Sequence, residues 1–196
     1  MFSISFCSAG CGRLAITGSA LCAVHSADPR SDSKRLSELI LEKSSIKDIC
    51  AQGLRFKGMD FSKRKLYGCS FSNAVFSKCI FSASIIRMCF FDFASFDSCN
   101  FAGGDFQYLS FAGSTIDNCS FEGSELININ FGGSKITDSL FNGSNLYNSR
   151  FISAEINNTN FIDCNLKRTY FIESNRTDIS FKSSNTAEAI FDIEEN

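Results

Sequence analysis

Tryptophan is absent from this chain, proline occurs once, at Pro29, and histidine once, at His25. A single histidine leaves no pair for a metal hydrolase or a proton relay. After Pro29 nothing interrupts the chain as proline would. Met1–Phe6 lacks the basic start and continuous apolar core of a secretory signal. Cys7, behind Ser5 and Phe6, lies too near the start to resemble a lipid-attachment cysteine. No apolar run approaches the roughly 18 residues of a membrane-spanning helix. An excess of one charge is missing too: 19 basic against 21 acidic residues give a net −2. Neither direct nucleic-acid binding nor membrane association is therefore expected. The expected location is the cytoplasm, where thiols stay reduced; the alternative is an effector delivered into a host cell by a route that leaves no readable signal. There is no phosphate-cradling glycine motif and no carboxylate pair in an evident cleft, so no enzyme is expected.

What is present begins with Cys7, Cys11, Cys22 and His25, spaced C-x3-C-x10-C-x2-H. Zinc favours four tetrahedral thiolate and imidazole ligands, which two close pairs across a loop can supply. A segment of ~30 residues can hardly bury a core without such a staple. Four protein ligands leave no open position, so the expected metal is a structural zinc in a knuckle over residues 1–30. Three free thiols beside a surface histidine, or a nucleophilic Cys22–His25 pair, are the competing readings. The piece GCGRLAITGSALCAVH also resembles a short Cys3His zinc motif of bacterial and phage proteins.

Residues 31–45 follow as a linking, capping helix. Leu36, Leu39, Ile40 and Lys43 keep helical spacing, with Ser31 or Ser33 as the expected N-cap. A short one-sided apolar stripe suits a lid over the open end of whatever follows.

From Phe56 to Phe191 every fifth position is apolar with two exceptions: 18 of 28 are Phe, eight are Leu or Ile, and Arg176 and Thr186 depart. A small residue, often Cys, Ser or Ala, recurs two positions before each centre, and glycine two positions after. A period of five fits neither helix nor ordinary strand. Sustained self-similarity signals a stacked array whose units bury their apolar residues only against neighbours. This pattern resembles the pentapeptide-repeat family, A/S/C-D/N-L/F-x-G. The resemblance implies an all-β fold over residues 46–196: a right-handed quadrilateral β-helix of about seven coils, four steps each, with the centre and the small residue inward. Phe61, Phe81 and their successors would stack on one face, Phe71, Phe91 and theirs on the opposite one, with Leu- and Ile-rich columns between. Cys69, Cys79, Cys89, Cys99, Cys119 and Cys164 fall on the small inward position and read as packing residues, although a spacing of 20 also suits a metal ladder or disulfide rail.

Function is then expected on the outside. Ile85, Met88, Phe90 and Phe93 fall at outward positions, and Tyr108 one coil above Met88. Such a cluster points to a protein-partner or self-association surface, unless a bulge turns these residues inward or the N-terminal module covers them. The rod is expected to act as a non-catalytic scaffold that contacts a protein through the zinc module or this patch. Homodimerisation through the patch or the C-terminal coil is a further expectation, since the ending FDIEEN carries no evident cap. Some pentapeptide-repeat proteins protect DNA gyrase by presenting a DNA-like acidic rod, which makes a topoisomerase regulator the alternative. Here Asp92, Asp97, Asp105, Asp117, Glu122, Glu125 and Asp138 are acidic, against a basic first coil of Arg55, Lys57, Lys63, Arg64 and Lys65.

Overall fold

The computed structural model describes residues 5–191. One helix precedes a four-sided parallel β-solenoid of about seven turns. The helix α1 spans Pro29–Glu42 and starts three residues earlier than an N-cap at Ser31 would place it. Asp28 is its N-cap, accepting hydrogen bonds from the Arg30 and Ser31 amides, and Pro29 fills the first turn, where a missing N–H costs nothing. Ser33 is not the cap. Its hydroxyl donates back to the Pro29 carbonyl inside the helix. The stripe formed by Leu36 and Ile40 is fully buried against the rod and shares one continuous core with it.

Two opposite sides of the rod are built from three-residue strands. One side stacks β1 (Ser45–Lys47), β3 (Lys65–Tyr67), β5 (Ile85–Arg87), β7 (Asp105–Gln107) and β9 (Glu125–Ile127) in parallel. The other stacks β2 (Arg55–Lys57), β4 (Val75–Ser77), β6 (Ser95–Asp97), β8 (Thr115–Asp117), β10 (Lys135–Thr137), β11 (Glu155–Asn157) and β12 (Asn175–Thr177). Partners lie 20 residues apart, as in Leu66↔Ile86 and Phe56↔Phe76. The two remaining sides are joined coil to coil by isolated bridges such as Ser70↔Phe90 and Asp60↔Ile80. The register also begins earlier than the phenylalanines reveal. Ile46 and Ala51 are buried at the two preceding centres, so α1 packs on a half-coil already in step.

The five-residue period has a steric origin. Each step runs briefly extended, then bends at the second residue after the centre, which takes a left-handed conformation whether it is Gly103 or Asn73. The central rings stack along the axis, 4.5 Å apart for Phe61–Phe81 and 5.2 Å for Phe71–Phe91, and meet the opposite column edge to face, as in Phe61–Phe71. Both geometries suit the ring quadrupole, and each pair adds about 0.5–1.5 kcal/mol beyond the area it buries. Volume is compensated locally. Phe106 occupies a Leu/Ile column, and its ring lies where a Cβ on residue 104 would be, so the small inward position there is Gly104.

At the far end Arg176 takes a centre position with its guanidinium 5.0 Å from the Phe191 ring centroid. Thr186 is exposed at the start of a short 3-10 turn, Thr186–Glu188, rather than at an interior centre. Most of the ending FDIEEN lies outside the described residues.

Candidate metal centre and contact surface

The N-terminal segment brings its four candidate ligands together. The three Sγ atoms and the imidazole nitrogen all lie within 4.8 Å of one another. Cys11 Sγ is 3.8 Å from Cys22 Sγ, while His25 Nδ1 is 3.5 Å from Cys7 Sγ and 3.6 Å from Cys22 Sγ. A tetrahedral zinc with bonds of ~2.3 Å to sulfur and ~2.05 Å to nitrogen holds sulfurs about 3.8 Å apart, and sulfur and nitrogen about 3.6 Å apart. The donor set therefore fits a metal in chemistry, and these three distances match tetrahedral edges. The Cys22 amide donates to Cys7 Sγ at 3.4 Å, as second-sphere donors do to thiolates. Burial pushes the Cys22 thiol up, but the backbone amides of His25 and Val24 and the Cys7 and Cys11 thiols outweigh it, bringing the pKa down to about 6. That favours the deprotonated, ligating form.

The segment is tied to the rod rather than tethered beside it. Thr17 exchanges hydrogen bonds with the Cys50 backbone, its hydroxyl accepting and its amide donating, and Arg35 of α1 donates to the Thr17 carbonyl. Ile16 enters the common core.

The solenoid cysteines behave differently. The six on the small inward position are free and buried. Their thiols donate to backbone carbonyls where serines do elsewhere: Cys79 to Phe56 at 3.5 Å, Ser124 to Phe101 at 2.9 Å. The neighbouring Cys119 thiol pushes Cys99 up to about 12, Cys99 and burial hold Cys79 higher still, and burial raises Cys164. Cys69 is lowered by its bond from Cys89, yet it has no solvent access. These residues fill space.

The exposed apolar cluster divides between two sides of the rod. Met88, Phe90, Phe93 and Tyr108 are 58%, 51%, 68% and 61% exposed, so neither a bulge nor the N-terminal segment hides them. They line the outside of the Phe71–Phe171 side and its two corners. Ile85 does not belong with them. It sits half-buried on β5, around the corner, between Lys65 and Asp105. Met88, Phe93 and Tyr108 all have positive φ, between 51° and 57°. A bulky residue in this conformation costs roughly 1–2 kcal/mol, and glycine is the inexpensive choice. Glycine stands at the equivalent corners Gly68 and Gly113. The Phe93 ring lies over Gly113, 2.6 Å from where a Cβ would be, so the exposed ring is seated on backbone.

Spacing in sequence concealed the rest of this face. Bridges connect Ser70, Phe90, Ser110, Asn130, Arg150 and Tyr170 in one column. Backbone bonds stack Asp92, Ala112, Gly132, Ile152 and Ile172 beside it. The apolar pair Ile152 and Ile172 thus shares a face with Phe90, and Arg150 is the added member. A step of 20 residues was the available signal, but it becomes readable only once the corners are placed. The acids, by contrast, scatter. Asp97 and Asp117 lie outward on β6 and β8, Asp105 and Glu125 on β7 and β9, Asp92 on the Phe71–Phe171 side and Glu122 on the opposite one. Among the described residues, no helix is long and apolar enough to cross a membrane.

The curated proteins contain no match to the chain by sequence. Among solved structures it is similar to QnrB1, a plasmid-mediated fluoroquinolone resistance protein, at 18% identity and a TM-score of 0.52, over 75% of this chain and 79% of that one. HetL, a pentapeptide repeat protein involved in heterocyst differentiation regulation from the cyanobacterium Nostoc sp. strain PCC 7120, matches at 12% identity and a TM-score of 0.35, over 79% of this chain and 94% of that one. At 18% identity the likeness to QnrB1 speaks for the fold alone. A family profile described as the pentapeptide repeat region matches residues 114–191, and one for pentapeptide repeats (8 copies) matches residues 94–133. With the five-residue register, the four-sided coil and both profiles in agreement, the chain belongs to the pentapeptide-repeat family.

Proposed function

We propose that this is a non-catalytic binding protein. Its rod presents one apolar face to a protein partner, and a structural zinc held by Cys7, Cys11, Cys22 and His25 folds the segment that closes the rod's N-terminal end. One observation carries the reading. Four large apolar side chains are exposed together on a fold whose interior is already full, and three of them occupy corners where glycine would be more stable. Stability is given up there for exposed apolar surface, which is the signature of contact rather than of folding. Zinc is supported by the thiolate and imidazole donor set and by three distances among its atoms that match tetrahedral edges. The ligands close the site on every side, so its role is to hold structure.

A rod acting as a nucleic-acid mimic on a topoisomerase would need one continuous acidic face, and the acids here divide among four sides. No inhibition or protection in a gyrase supercoiling assay is the expected result.

The reading is tested by comparing partner capture by the full chain and by Phe90→Ser/Phe93→Ser, both checked for identical folding by circular dichroism. Loss of the bound protein with the double variant is expected. Capture that survives the double substitution unchanged sinks the proposal.

A further inference from the structure

We infer that the occupant of the Phe71–Phe171 face is a second copy of this chain, packed face to face and antiparallel. The inference rests on the contact-surface reading above and adds the partner and the register. Between its corners the face carries two charges, Asp92 and Arg150, while Arg168 and Glu173 stand at the corners beside Phe171. Arg150 is exposed, and its guanidinium has no hydrogen-bond or ion-pair partner among the described residues. The two charged groups are three coils apart, about 14 Å at the spacing of parallel strands, so they cannot meet within one molecule.

Between molecules they meet twice. A two-fold axis lying in the face, across the rod, between the coils of Ala112 and Gly132 inverts the order of coils and keeps each column opposite itself. That operation sets Phe90 of one copy against Arg150 of the other, with Asp92 one column away. Guanidinium over ring and guanidinium beside carboxylate are both favourable pairings. The same axis puts Ala112 opposite Gly132, the small residues that let two backbones approach. The projecting Met88 falls opposite Asn148, at the hollow lined by Tyr108, Asn128, Asn148 and Arg150. Projection faces hollow, acid lies beside base, and each contact recurs by symmetry, as an isologous interface requires. A strip about 30 Å long and ~16 Å wide on each copy amounts to roughly 1,000 Å² in total, the lower bound for a specific interface. The dimer is accordingly a concentration-dependent one.

Sedimentation velocity of the full chain over a hundredfold concentration range tests this. The wild type is expected to shift from monomer to dimer. Arg150→Asp and Asp92→Arg each weaken the dimer by about tenfold or more, because each sets like charges together. The double variant Asp92→Arg/Arg150→Asp restores it, which no general loss of fold or solubility would do. A monomer at every concentration overturns the inference. If Phe90→Ser/Phe93→Ser still loses a different captured protein in that case, the contact-surface reading stands without it. A dimer indifferent to the single charge reversals, or one not restored by the swap, overturns the antiparallel register.

Discussion

The two phenylalanine sides of the rod are alike inside and different outside. Phe61, Phe81, Phe101 and Phe121 stack at 4.5–4.6 Å, and Phe71, Phe91, Phe111 and Phe131 at 5.0–5.2 Å, all of them buried. Outside, the first side bears one exposed large apolar residue, Ile80 at 39%, and the second bears or borders Met88, Phe90, Phe93 and Tyr108. Folding demands on the two sides are the same, so the difference between their exteriors is not a folding requirement. Within one aromatic pair the contrast is sharper still. Phe91 points in and is fully buried, while its neighbour Phe90 points out and is half exposed.

That contrast can be broken in order of expected effect. Phe91→Ala empties the stack between Phe71 and Phe111 and should cost about 3–5 kcal/mol in denaturant unfolding. Phe90→Ser, by the same measurement, should stay within about 0.5 kcal/mol of wild type. Equal losses at the two positions would erase the distinction between core and contact surface. Next, removal of the proposed metal should unfold the N-terminal segment and leave the rod intact. A strong chelator, Cys22→Ser or acidification well below the Cys22 pKa of about 6 should each abolish stoichiometric metal and hydrogen-exchange protection around Ile16, with the aromatic core unaffected. Protection that persists without metal would assign the segment's stability to its contacts with Cys50 and α1 instead.

The interior was legible because its physics repeats. One ring or aliphatic group fills each step, so the register could be read from spacing, while the four columns and the inward place of the cysteines followed from the family resemblance that the register carries. The helix cap was not legible, because Asp28 precedes Pro29 and the nearby serines imitate it. The candidate metal ligands were visible as types and spacings, while the nearness of His25 Nδ1 to Cys7 and Cys22 emerges only from geometry. The contact face was half visible. Exposure of Met88, Phe90, Phe93 and Tyr108 follows from the register, but Ile85 was grouped with them by nearness in sequence, and a corner at Met88 separates them. Arg150, 60 residues away, joins the same face through coil stacking.

Smaller effects sharpen the same picture. Gly104→Ala should cost about 1–3 kcal/mol by overpacking against Phe106, and Phe106→Leu should relieve most of that loss in a double-mutant cycle. Additive losses would mean that the two positions do not share one volume. Phe93→Gly has the opposite sign. Relief of the left-handed strain should raise stability by a few tenths to ~1 kcal/mol even as an exposed ring is lost. A marked destabilisation would show that the ring's seat on Gly113 matters more to folding than to contact.

The most direct measurement places a photo-crosslinking residue at position 90 on the outside of one phenylalanine side, or at position 140 on the outside of the other, in the full chain within the cells that make it. Position 90 should give a discrete crosslinked species and position 140 none. Equal crosslinking from the two sides, or none from position 90, would contradict the claim that the protein works through one face of its rod.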